Sequence, residues 1–168
     1  RQRQMCIRDS RWSDDEVFEA LLRAVLSSHT NWAKVERVLP KLRDAFFGFG
    51  LRRYADTTDD YINCTLVPLF KKHKAGSISL RRNLMGLRET ARILSNWSTA
   101  HGSAEHYFLD VIKRSMGDPK GAAVALGKTG SAKKLPALGV PIAAESLRNM
   151  GFDVSKPDRH VCRAVGSF

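Results

Sequence analysis

Apolar residues recur every three or four positions through almost the whole chain. Nowhere do they alternate with polar ones in the period of two that a half-buried strand requires. Val17, Phe18, Leu21, Leu22, Val25 and Leu26 fall on one half of a helical wheel, with Glu16, Glu19 and Arg23 on the other. Ahead of them, Ser13-Asp14-Asp15-Glu16 is an S-x-x-E capping box, in which Ser13 and Glu16 satisfy each other's orphan backbone donors and fix the start of the helix.

Further helical patterns follow. A polar break, Ser27 to Asn31, precedes Val35, Val38, Leu42 and Phe46, with a kink or restart expected at Pro40 and a stop at Gly48 and Gly50. Thr58-Asp59-Asp60 caps a short helix that leads into the basic run Lys71-Lys72-His73-Lys74. The longest pattern runs from Leu80 to about Trp97, the next from Ser103 to Ser115, and Asp118-Pro119 starts a short one that ends near Gly127. The sequence shows no internal repeat and no interdomain linker, so the expected architecture is one all-α domain.

The first ten residues, RQRQMCIRDS, have no period, resemble translated adapter text and are set aside as a non-native leader. The domain proper is expected over 11–168. The chain carries 28 Lys and Arg against 17 Asp and Glu, a net charge of +11, and +9 without the leader. Such an excess favours a polyanionic partner, nucleic acid first, over a small neutral substrate. Cys6, Cys64 and Cys162 form no C-x-x-C pair, so neither a disulfide framework nor a zinc site is encoded. A reducing cytoplasmic compartment is expected, with no membrane span and no secretion signal.

The stretch KKLPALGVPIAAESLRNMGFDVSKPDRHVCR, residues 133–163, carries the most chemical information. A helix ending near Leu135, a tight turn over Pro136-Ala137-Leu138-Gly139 and a new helix with Pro141 near its start make a helix, a hairpin and a helix. In the second helix Ile142, Ala143, Leu147 and Met150 face inward, Glu145, Arg148 and Asn149 outward, and Gly151 closes the end. A helix N-terminus presents unpaired N–H groups and the positive end of its dipole, and a glycine lets a phosphate approach the backbone. Such a turn grips DNA without reading its sequence.

Three segments together resemble the helix-hairpin-helix DNA glycosylase superfamily, the group of endonuclease III, the adenine-specific mismatch glycosylase and the helical alkylpurine glycosylases. Leu135-Pro136-Ala137-Leu138-Gly139 matches the L-P-G-[VI]-G hairpin, and Asp158-Arg159-His160-Val161-Cys162-Arg163 matches the D-x-H-x-x-R motif that follows it. Leu21 to Ser28 resembles the early L-L-x-A-x-L-S helix, which leads into a loop that inserts side chains into DNA. The resemblance implies that Leu135, Pro136, Ala137, Leu138, Gly139, Val140 and Pro141 hold a DNA phosphate. Ser28, His29 and Asn31 would contact the strand gap left by a flipped base. Asp158 would be the catalytic carboxylate, with His160 and Arg163 in support.

Three departures bear on what the resemblance transfers. Ala137 replaces the hairpin's first glycine, which is tolerable where that position keeps a negative φ. Pro141 stands where lyase-competent members carry a lysine, so no Schiff base is expected from it. The chain stops soon after Asp158, where the family continues, so a C-terminally truncated fragment is expected, with no iron-sulfur cluster encoded in it.

Among aromatic residues, Trp32, Tyr61, Trp97 and Tyr107 are the available platforms for a base. No acid is evidently dedicated to protonating a purine, although Glu16, Glu19 and Glu36 lie near the relevant helices. The expected reaction is therefore hydrolysis of an N-glycosidic bond in damaged duplex DNA, an alkylated purine first and a mismatched or deaminated base second. Two alternatives stay open: a catalytically silent DNA-binding module, and a glycosylase with lyase activity using Lys133, Lys134 or Lys156. No cofactor and no side-chain metal site are expected; the resemblance allows a monovalent cation on hairpin carbonyls. The protein is expected to act as a monomer on duplex DNA.

Overall fold

Helix α1, Asp14–Ser27, begins at the capping box: Glu16 N–H donates to Ser13 Oγ at 3.3 Å, and Ser13 N–H donates to Glu16 Oε2 at 2.8 Å. The computed structural model describes residues 12–28, 32–75 and 78–154. Within them follow α2 (Trp32–Leu42), a 3-10 segment (Asp44–Phe49), α3 (Leu51–Ala55) and α4 (Asp59–Tyr61). A π-turn (Ile62–Leu66), α5 (Val67–Lys72), α6 (Leu80–His101), α7 (Glu105–Arg114), α8 (Pro119–Gly127) and α9 (Val140–Asn149) complete them. Every regular element among the described residues is helical, so the domain is all-α. No helix there is long and apolar enough to cross a membrane.

The centre of the fold is α1, which buries Val17, Phe18, Leu21, Leu22 and Val25 and packs against α9, α6, α2 and α3. Its acidic first turn does more than favour the helix dipole. Asp14 accepts from the Ser98 hydroxyl and, at 2.8 Å, from Ala104 N–H, fastening α1 to the α6–α7 junction. Asp15 accepts from Leu51 N–H at 2.9 Å and supplies a side-chain partner to the start of α3. On the opposite flank, Tyr54, Phe46 and Phe18 stack in one aromatic group, and the Tyr54 hydroxyl donates to the Leu84 carbonyl at 2.9 Å.

Several expected boundaries shift for identifiable reasons. Helix α2 runs through Pro40 and stops at Leu42, and Phe46 belongs to the separate 3-10 segment. There Phe47, Gly48 and Phe49 all take positive φ (54°, 71° and 69°), so the chain turns sharply enough to bring Phe46 and Phe49 into the core. The short helix capped by Thr58 continues as a π-turn before Pro68, whose missing N–H and ring bulk disrupt the α-helical ladder of the preceding turn.

Helix α8 ends at Gly127, as expected, but the further helix expected to end near Leu135 does not form. Residues 128–139 are turns, with Gly130 at φ 85°, a conformation that breaks a helix. Leu135 N–H still returns to the Leu126 carbonyl at 3.0 Å, which folds the connection back on α8. Glu145, expected on the outer face of α9, is buried and pairs with Arg148 at 2.6 Å.

Candidate functional site: a hairpin and an acidic aromatic cleft

Leu135-Pro136-Ala137-Leu138 forms a β-turn closed by Leu138 N–H donating to the Leu135 carbonyl at 3.2 Å. Pro136 occupies the position that suits its fixed φ, and Ala137, at φ 63°, occupies the one that demands left-handed backbone. The sequence condition for tolerating Ala137, a negative φ, is therefore not met, and this is the position that glycine fills at least cost. Ala137→Gly is expected to raise the stability of the domain by up to about 1 kcal/mol, the left-handed penalty of an L-residue less the added freedom of the unfolded chain. Urea denaturation checks it, and a loss of stability would contradict the turn described here.

The turn rests on α6. The Thr90 hydroxyl donates to the Pro136 carbonyl. One helical turn earlier, Gly86 lies so close that a Cβ there would come within 2.9 Å of the Ala137 nitrogen. At the other side, a Cβ on Gly127 would stand 2.4 Å from the nitrogen of Val140, so the end of α8 and the start of α9 meet backbone to backbone. Gly139 is the N-cap of α9 and brings no side-chain cap; Pro141 stands in the first turn. Leu135 and Leu138 are buried core residues, whereas Pro136, Ala137, Gly139 and Val140 are half-buried and Pro141 is exposed.

The two lysines before the turn are both engaged. Lys133 Nζ lies 3.1 Å from Asp110 Oδ2 and over the rings of Trp97 (4.9 Å) and Tyr107 (5.4 Å). The Tyr107 hydroxyl donates to the Lys133 carbonyl at 3.2 Å. Arg114, and then Lys133, hold the Asp110 carboxyl below its ordinary range. Lys134 Nζ donates to the carbonyls of Leu135 (2.9 Å) and Leu138.

At the far end of α9 lies an open cleft of about 270 Å³, lined by Trp12, Glu16, Glu19, Ala20, Arg23, Trp32 and Asn149. Its floor is one face of α1. Asn149 Nδ2 donates to the Ala20 carbonyl at 3.2 Å and pins the end of α9 to it. The volume lies just below the roughly 300–1,000 Å³ of drug-sized ligand pockets and suits a single flat ring system. The backbone and hydroxyl of Ser13 hold the Glu16 carboxyl below its ordinary value, so it is ionised at neutral pH. Glu19 pairs with Arg23 at 2.7 Å, and Glu36 pairs with the same guanidinium. Acidic groups therefore outnumber basic ones in this cleft, on a chain whose net charge is +11.

Of the four rings expected as platforms, only Trp32 lines the cleft, and it is 42% exposed. Tyr61 stacks on Phe47 and donates to the Ala45 carbonyl, while Trp97 and Tyr107 enclose Lys133. Trp12 and Asn149 also line the cleft; neither stood out as a site residue in the sequence, where Asn149 is only an outward position of its helix. The signal for Trp12 was its place immediately before the N-cap, where a large apolar residue packs beside the first turn of the helix. Ser28 caps the end of α1, its hydroxyl donating to the Val25 carbonyl at 2.7 Å. His29, Asn31, Lys156, Asp158, His160 and Arg163 lie outside the described residues.

Exposed basic side chains occur on several elements: Arg52 and Arg53 on α3, Lys71 and Lys72 on α5, Arg81 and Arg82 on α6. Arg88 is half-buried and reaches Asp59 at 2.6 Å, while Arg92 stays exposed and donates to the Ala55 carbonyl at 2.9 Å. Among the described residues no cluster of three or more His, Cys, Asp or Glu side chains could hold a metal ion.

Comparison with known proteins adds no relative: no family model, no curated protein and no solved structure matches the chain.

Proposed function

We propose that the protein is a monofunctional DNA glycosylase that hydrolyses the N-glycosidic bond of a damaged base, an N-alkylated purine first among them. The observation that carries the choice of base is the cleft beside α1, where two indoles, Glu19 and the ionised Glu16 converge. Indole faces attract a flat cationic ring, and nearby carboxylates add to that attraction.

Glu16 is a poor proton donor, because Ser13 holds it in its charged form, and Glu19 is paired with Arg23. A neutral purine needs a proton to leave, whereas a ring alkylated at nitrogen already carries the positive charge and departs neutral. Within this reading the hairpin over residues 135–141 anchors a phosphate, helped by the uncapped start of α9. The sequence places Asp158 in the D-x-H-x-x-R motif, where its carboxylate stabilises positive charge growing on the deoxyribose and orients the water that attacks the anomeric carbon. Water adds to that carbon and gives one proton to the Asp158 carboxylate, the bond to the base nitrogen breaks, and the base leaves neutral with the bonding electron pair.

Duplexes carrying alkylated, deaminated, oxidised or mismatched bases test the proposal when free base is measured by chromatography. Release from the alkylated duplexes is expected, with a lower rate for Trp32→Ala. Salt-sensitive binding to all duplexes with release from none would instead make the chain a silent DNA-binding module. Borohydride is expected to trap no covalent adduct, since Lys133 and Lys134 are both already engaged; an adduct that disappears in Lys156→Ala would favour the lyase alternative instead.

A further inference from the structure

Two carbonyl oxygens of the hairpin, those of Leu135 and Leu138, converge on one ammonium group supplied by the adjoining residue, Lys134. The Leu135 carbonyl already accepts from Leu138 N–H at 3.2 Å, and the ammonium adds a charged donor that this oxygen shares with the Leu138 carbonyl. Both leucines are buried, so little water reaches these oxygens from the core side. The remaining carbonyl of the turn, that of Pro136, accepts from the Thr90 hydroxyl on α6.

Carbonyl oxygens aimed at one point are also the ligand set that a weakly hydrated alkali cation takes. We propose that Lys134 is a built-in cation of the hairpin: its ammonium occupies a carbonyl site that would otherwise bind a potassium or sodium ion, and so frees the turn from dependence on dissolved salt. Burial acts on the same group, pushing the Lys134 amine below the ordinary lysine range, while the carbonyls favour its charged form. The inference stands on the turn alone and needs neither DNA nor base excision, so it can fail while the proposed function survives, and the reverse.

Thermal unfolding at fixed ionic strength in potassium chloride and in tetramethylammonium chloride tests it, because the tetramethylammonium ion is too large for a two-carbonyl site. The wild-type protein is expected to melt at the same temperature in both salts. Lys134→Met, which keeps the length of the side chain and loses its charge, is expected to melt about 5 °C lower in tetramethylammonium chloride and to recover at least half of that loss in potassium chloride. Equal melting of variant and wild type in tetramethylammonium chloride would overturn the proposal. So would an equal loss in both salts, or a wild-type protein that gains as much from potassium as the variant does.

A second measurement, on the wild-type protein, holds even where the variant does not fold. Nitrogen-15 NMR of lysine ammonium groups is expected to show one slowly exchanging signal that disappears in Lys134→Arg. A spectrum in which every lysine ammonium exchanges as a solvated group would overturn the assignment.

Discussion

Gly127→Ala is expected to cost more than about 4 kcal/mol and to leave much of the protein unfolded at 37 °C. Local preference points the other way, because alanine in place of a helical glycine gains roughly 1 kcal/mol. The sign reverses because of what a Cβ would meet: the Val140 nitrogen at 2.4 Å, its Cα at 2.5 Å and the Gly139 carbonyl carbon at 2.6 Å. All three are backbone atoms, so no rotamer change relieves the overlap, and α8 must move off α9.

That movement would not stay local. Helix α9 packs against both α8 and α1, and Leu135, Leu138, Ala143 and Leu147 are buried in the shared core. Gly121→Ala in the same helix is the matched control. Its Cβ would lie 3.3 Å from Asp118 Oδ2 and from Ser115 Cβ, so only a small adjustment of side chains is needed. Urea denaturation followed by circular dichroism is expected to show Gly121→Ala within about 1 kcal/mol of the wild type and Gly127→Ala far below it. Equal stability of the two variants would contradict the close backbone approach that sets the hairpin.

Asp158→Asn is expected to lower the rate of base release about 10² to 10⁴-fold, the usual loss when a general base is removed. Asparagine keeps the shape and much of the hydrogen bonding of the carboxylate. It cannot carry the negative charge that the proposed mechanism sets against a developing oxocarbenium ion. Duplex affinity is expected to stay within about twofold, because phosphate contacts, which a carboxylate does not make, dominate it. A helix cap at Asp158 would by contrast leave catalysis intact, since asparagine caps a helix as well as aspartate does.

The helical class was legible in the sequence because it rests on a repeated signal. The capping box at Ser13 and Glu16 and the cap at Asp118-Pro119 fall where the residues require them. Helix α3 carried too few residues, Leu51–Ala55, to display a period, and it forms only because Asp15 and the core hold it. The three consecutive positive φ values at Phe47, Gly48 and Phe49 had no local signal at the two phenylalanines. They are imposed by burial of Phe46 and Phe49, a tertiary demand that overrides preference.

The hairpin residues were legible as a pattern, but the seat of the turn on Gly86 and Thr90 was not, since it depends on a contact between residues far apart in sequence. Likewise Glu145 reads as an outward residue on the wheel of α9, yet packing against α1 and α8 covers it and leaves Arg148 to reach it. The cleft was half legible. Trp32, Glu16 and Glu19 were named as candidates, whereas their meeting with Trp12 and Asn149 required the crossing of α1 and α9.

The proposed reaction is removal of a cationic damaged base from DNA through Asp158. The most direct test is single-turnover release of N-alkylated purine from a duplex, measured side by side for the wild type and Asp158→Asn at matched DNA occupancy. Release by the wild type and a drop of at least about 10² in the variant are expected. Undiminished release by Asp158→Asn would contradict the proposal.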